Sequence, residues 1–193
     1  MSILRAATQQ RHQTVEDLPF TQYLLHGNIT PEHYVTYLAE MLEIYSHLEL
    51  LATLEGLLDD LPELPRANRM FEDLEELAPG YQHETTLATR DYLKYLSDLF
   101  KSDRSPDLFA HVYVRHLGDM YGGKLIARRV PGSGRWYEFD NRADLVRRFN
   151  SHLSMDLVPE ALRAFDWYGK IFQDLWRKIH TGCDFMSSDF PTP

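Results

Sequence analysis

The chain has 193 residues, a formal charge of −9 from 29 acidic and 20 basic side chains, and a composition that is 44% hydrophobic, 25% charged and 12% aromatic. This balance excludes a disordered, collagen-like or disulfide-scaffold chain, and the length suits one domain with a substantial core. The acidic excess argues against nucleic acid as a partner, the single Cys183 can build neither an intramolecular disulfide nor a thiolate cluster, and no run approaches the roughly 20 apolar residues of a bilayer span, so a cytoplasmic protein with no membrane partner is expected.

Helical signals dominate. Thr30-Pro31-Glu32 combines a capping hydroxyl, a proline suited to the first helical position and an acid for the positive helix end. Tyr34, Leu38, Met41, Tyr45, Leu48 and Leu51 then recur at spacings of three and four, the stripe of a long amphipathic helix that the prolines of Leu61-Pro62-Glu63-Leu64-Pro65 should end. The pattern predicts a shorter helix over about 66–77, stopped by Pro79-Gly80, and another carrying Leu87, Tyr92, Leu96, Leu99 and Phe100. Ser105-Pro106 repeats the cap-and-proline start, and the helix that follows contains Phe109, Val112, Tyr113, Leu117 and Met120. Pro131-Gly132-Ser133-Gly134 breaks the chain; Arg135-Trp136-Tyr137-Glu138-Phe139 has no strand partner and reads as loop. Two more helices are predicted over 142–157 and 159–181, with Gly182 as a C-terminal stop and residues 183–193 as a frayed tail. The expected fold is all-α, a single helical bundle over residues 1–182.

One helix is unusual. Gly118, Gly122 and Gly123 lie within six residues and forgo some ~3 kcal/mol of helix propensity relative to alanine. Gly118 and Gly122, four apart, fit close packing against a neighbouring helix as well as a bent helix whose bare backbone lies against a flat ligand. Asp119 stands between them, where an aspartate taken alone is usually a solvated surface residue.

These residues carry a resemblance. The stretch from His111 to Lys124, His-Val-Tyr-Val-Arg-His-Leu-Gly-Asp-Met-Tyr-Gly-Gly-Lys, resembles the distal-helix pattern of the heme oxygenase family, and Leu4 to Glu16, with His12, resembles its proximal helix. The resemblance extends from Leu4 to about Trp176 in the family's helix order, without the apolar C-terminal anchor of its animal members, so a small soluble bacterial or phage-type member is expected.

What the resemblance implies is specific. His12 would be the axial ligand of haem iron, with Glu16 one turn on holding the imidazole through its other nitrogen. Gly118, Gly122 and Gly123 would flex over the haem, and Asp119 would hold a water network that steers dioxygen chemistry onto a porphyrin meso carbon. Tyr45, Tyr92 and Arg115 would complete that network, although helix packing or a surface charge accounts for each equally well by spacing. Arg5 and Tyr113 match propionate positions, Arg147 stands within a turn of a further propionate arginine that aligns with Asn150, and Phe172 matches an apolar pocket wall.

The implied activity is cleavage of haem b, as substrate and cofactor, with dioxygen and external electrons, to biliverdin, iron and carbon monoxide. Electrons would come from ferredoxin or a flavin reductase docking on the basic residues between Arg128 and Arg148, with a biliverdin reductase downstream. Two alternatives stay open: a haem-binding or sensing protein without oxidation, and a non-haem iron oxidase of similar fold using Glu40, Glu43 and His47.

Overall fold

A computed structural model describes residues 3–181, which form eight helices and no strands among the described residues: α1 (Ile3–Glu16), α2 (Pro19–Leu25), α3 (Pro31–Leu54), α4 (Ala67–Leu77), α5 (Leu87–Phe100), α6 (Leu108–Ala127), α7 (Arg142–Ser151) and α8 (Val158–Thr181). The start of α3 is as the sequence dictates, with Thr30 Oγ1 accepting from the His33 amide at 3.2 Å and Pro31 opening the helix. Its end is not. The helix stops at Leu54 rather than at the later prolines because Gly56 adopts φ +74° and closes a Schellman turn, in which the Leu57 amide donates to the Ala52 carbonyl and the Gly56 amide to that of Thr53. All six residues of the predicted α3 stripe are buried.

Three further departures have local causes. The short α2 escapes the periodicity pattern because it has only seven residues; it is held by Thr21 Oγ1 donating to the Val15 carbonyl and Gln22 Nε2 to that of Glu16, which satisfies the end of α1. Ser105 does not cap α6 but donates to Glu55, and a 3₁₀ turn over Ser105–Asp107 leads into the helix. The predicted 142–157 helix ends at Ser151, since Ser154 takes extended backbone before a 3₁₀ turn over Met155–Leu157 turns the chain into α8. Gly182 and the tail from 183 lie outside the described residues.

The core is organised by two long helices. α8 packs against α1, α2, α5 and α6, and α3 against α4, α5 and α6, so α6 is sandwiched between them. Twelve of the twenty α6 residues are buried, including His111, Arg115, His116 and Asp119, which places polar chemistry in the centre of the bundle. No described helix is long and apolar enough to cross a membrane.

Candidate functional site

A cavity of about 570 Å³ opens between α1, α2, α6 and α8, within the size range of small-molecule and cofactor sites. On one wall His12 and Glu16 project from α1, one turn apart, with His12 Nδ1 3.5 Å from Glu16 Oε1 and the imidazole set edge-on to Phe165 at 5.8 Å. Both side chains are about half exposed, 54% and 43%, and both line the cavity. Arg5 and Tyr113 line the same mouth, and Tyr113 Oη lies 3.4 Å from Thr8 Oγ1.

On the opposite wall the glycines divide their work. A Cβ built on Gly118 or Gly122 would meet nothing within 4 Å, so both present bare backbone to the cavity rather than to a neighbouring helix. Gly123 is the packing glycine. A Cβ there would stand 2.7 Å from Tyr137 Cδ1, so the close approach of the 135–137 turn requires it. α6 remains helical throughout these positions.

Asp119 borders the cavity and is 9% exposed. Tyr45 Oη donates to its Oδ2 at 2.6 Å and Trp136 Nε1 to the same oxygen at 3.2 Å. Burial pushes the carboxyl up; the Tyr45 bond, nearby His116 and the Trp136 bond offset part of that, and the result is about 6.

Arg115 is held differently. Its guanidinium lies over the rings of Tyr92 and Tyr168, at 4.9 and 5.0 Å, and its Nε is 3.5 Å from Tyr92 Oη. Tyr92 Oη lies 2.9 Å from His111 Nδ1, and His111 Nε2 lies 3.0 Å from Glu160 Oε1. Burial raises the Glu160 carboxyl, but bonds from His111, Tyr95 and Arg104 outweigh it and hold the group below the usual carboxylate range; burial pushes His111 down, towards the neutral ring. The carboxylate therefore takes the Nε2 proton of a neutral His111, Nδ1 accepts from Tyr92, and the phenol oxygen is left to accept from Arg115. Arg115 Nη2, buried, finds no acceptor among the described residues, and Arg115 lines the cavity. The cavity thus pairs a half-exposed imidazole with bare backbone and a buried donor opposite, a set that fits a flat, iron-bearing ring.

Residues 1–174 match the family described as heme oxygenase. The heme oxygenase 2 of Synechocystis sp. is 32% identical over 206 residues, spanning 89% of this chain and 81% of that protein, and the heme oxygenase of Porphyra purpurea is 25% identical over 204 residues, spanning 89% and 84%. The chain belongs to the heme oxygenase family. Among solved structures, heme oxygenase-2 from Synechocystis sp. in complex with heme and NO superposes with a TM-score of 0.79 at 26% identity, covering 93% of this chain and 86% of that one. The heme oxygenase from Leptospira interrogans gives 0.78 at 25% identity, covering 89% and 98%.

Set on this heme oxygenase fold, nine of the residues singled out from sequence line the one cavity: Arg5, His12, Glu16, Tyr113, Arg115, Gly118, Asp119, Gly122 and Phe172. Tyr45 and Tyr92 stand behind it, each bonded to a lining residue. Arg147 does not reach it. Its guanidinium is 74% exposed and is drawn back along α7 to Asp144 at 2.6 Å, while Asn150 takes the lining position. The carboxylate–histidine alternative does not assemble: Glu40 bonds His83 and Thr86, Glu43 bonds Thr85, and His47 bonds Ser97, and no group of three or more His, Cys, Asp or Glu among the described residues could hold a metal ion.

Sequence reasoning missed His111, Glu160 and Trp136. His111 lies one turn before Arg115 on the same face, a spacing that could have marked it, whereas Glu160 and Trp136 come from segments far along the chain and leave no local signal.

Proposed function

We propose that this member of the heme oxygenase family cleaves haem with dioxygen and external electrons to biliverdin, iron and carbon monoxide. The observation that carries the reading is the cavity's two-sidedness: an accessible His12 on α1 faces the bare backbone of Gly118 and Gly122, with Asp119 buried behind them. Bound there, haem would supply both the iron that activates dioxygen and the ring carbon that is oxidised.

The chain's own residues do the rest. His12 would hold the haem iron, and Glu16 Oε1, 3.5 Å from Nδ1, would orient its ring. Gly118 and Gly122 admit a planar ring to van der Waals contact, which any side chain at those positions would prevent. Asp119, pinned through Oδ2, organises water on the distal side and moves protons at its carboxyl, a role suited to a group that titrates near 6. Arg115 adds a fixed positive charge and an unused N–H, oriented by Tyr92. Arg5 and Tyr113 would hold the propionates, and Asn150, which also lines the cavity, would offer them a neutral amide in place of a further cation.

Electrons come from ferredoxin or a flavin reductase. Much of the basic cluster nominated for docking is already neutralised within the fold, Arg135 by Asp73 and Glu76, Arg147 by Asp144, and Arg148 by Glu63 and Asp144. The docking face accordingly centres on exposed Lys124, Arg128 and Arg129, with half-buried Arg142 lying over the exposed Tyr121 ring.

One experiment tests the reading. Purified protein with one equivalent of hemin is given oxygen and a reducing system and followed by absorption: loss of the Soret band with growth of a red biliverdin band is expected. A stable Soret band under these conditions would make the protein a haem-binding module, and no Soret shift at all would remove haem as its ligand.

A further inference from the structure

We propose that Trp136 is a positioning residue for Asp119, delivered by a turn that three separate anchors hold against α6. This rests on the distal role given to Asp119 above. Indole nitrogens buried in protein cores find whatever acceptor is near; here the acceptor is the carboxylate at the cavity. Tyr45 and Trp136 both donate to Oδ2, from α3 on one side and from the 135–137 turn on the other, and Oδ1 receives no hydrogen bond among the described residues. Two donors converging on one oxygen fix the rotation of the carboxylate and reserve the other oxygen for the cavity.

The turn that carries Trp136 is built for placement. Asp73 on α4, 1% exposed, accepts from the backbone amides of Arg135 at 3.0 Å and Trp136 at 2.9 Å, one on each carboxylate oxygen. Gly123 lets the Tyr137 ring close onto α6. Arg66 Nη1 donates to the Glu138 carbonyl at 2.5 Å. The Trp136 ring stacks on Tyr137 with centroids 4.6 Å apart and meets Tyr45 edge-on at 5.4 Å, so the indole has one orientation. A phenylalanine would keep an aromatic ring at this buried position and lose the N–H.

The groups that set the Asp119 titration are few and named. They are Arg115 and His116 on its own helix, Tyr34, Tyr37 and Tyr45 on α3, Tyr137 on the turn, Tyr168 on α8 and Arg66 before α4. Trp136 does not itself titrate, so its electrostatic influence on the carboxyl is the one hydrogen bond, which favours the ionised form.

The test uses the full chain, labelled with ¹⁵N and ¹³C, in the absence of haem. The Asp119 carboxyl carbon, assigned by Asp119→Asn, is titrated in wild type and in Trp136→Phe, and the midpoint is expected to rise by about one pH unit when the donor to the ionised form is lost. In wild type, one of the three indole N–H signals, assigned as Trp136, should follow pH with the same midpoint and stop doing so in Asp119→Asn. An unchanged carboxyl midpoint in folded Trp136→Phe, or an indole signal indifferent to pH across the carboxyl titration, overturns the proposal; the second measurement needs no variant at position 136 to fold. With hemin, the acid limb of the turnover profile of Trp136→Phe should move up in step with the carboxyl. Coupled titration in a protein that cannot degrade hemin retires the functional reading and keeps the Trp136 assignment, whereas turnover with an uncoupled indole does the reverse.

Discussion

The two faces of the cavity are built by opposite means. The α1 face offers one half-exposed histidine and one half-exposed acid in a loose pair, with little burial and no network behind them. The α6 face is buried and cross-bonded: Asp119 is tied to α3 and the 135–137 turn, and Arg115 to α5 and, through His111, to α8. A ligand position asks only for an accessible lone pair. A position that steers chemistry must hold its dipoles in place before the substrate arrives, which takes a dry interior and partners from several elements.

Substitutions on each face should separate accordingly. The largest effect is expected from His12→Ala, which should abolish the histidine-ligated Soret spectrum and leave the melting temperature of the haem-free protein unchanged, because the side chain is half exposed; absorption and calorimetry on the same sample check both halves. On the other face, Glu160→Ala should cost about 3–5 kcal/mol in denaturant unfolding, since it strands Arg104, Arg163 and His111 around a buried site where the carboxylate is 1% exposed.

Asp119→Asn should work the other way on stability. The carboxyl holds its proton up to about pH 6 in the fold but releases it near 3.8 when unfolded, so between those values the folded state binds more protons and stability falls as pH rises. Above about pH 6 the penalty is complete at ~3 kcal/mol. The asparagine variant should therefore unfold later than wild type at pH 7, match it near pH 4, bind hemin and form no biliverdin. An equal stability gain at both pH values would refute the burial argument.

The glycines give the smallest and sharpest contrast. Gly118→Ala should stabilise the haem-free protein by up to about 1 kcal/mol, because helix propensity improves and nothing is struck, while weakening hemin binding; Gly123→Ala should destabilise it, because Tyr137 and the turn must move. Thermal melts of the two variants side by side decide it, and shifts of the same sign would remove the division of labour drawn between these glycines.

Legibility in the sequence followed locality. The buried stripe of α3, the start at Thr30, the breaks at 79–80 and 131–134 and the glycine-rich α6 were readable because each depends on residues within a turn or two of one another. Gly56, two residues past the end of α3, is itself a helix stop, but in the sequence the prolines beyond it are the louder signal. Arg147 and Asn150 sit three residues apart on α7; Asn150 lines the cavity, while Arg147 pairs with Asp144 three residues back.

By itself the sequence determined an all-helical chain, the placement of most of its helices and, through two motifs, residues that form opposite walls of one cavity. The tertiary structure alone decided which glycines face the cavity and which one packs, that Asp119 is shared by Tyr45 and Trp136, and that Arg115 is oriented from Glu160 through His111 and Tyr92. The reason is physical: helix propensity and capping act within a few residues, whereas desolvation and hydrogen-bond direction depend on partners 17 to 74 positions away that only folding brings to the same oxygen.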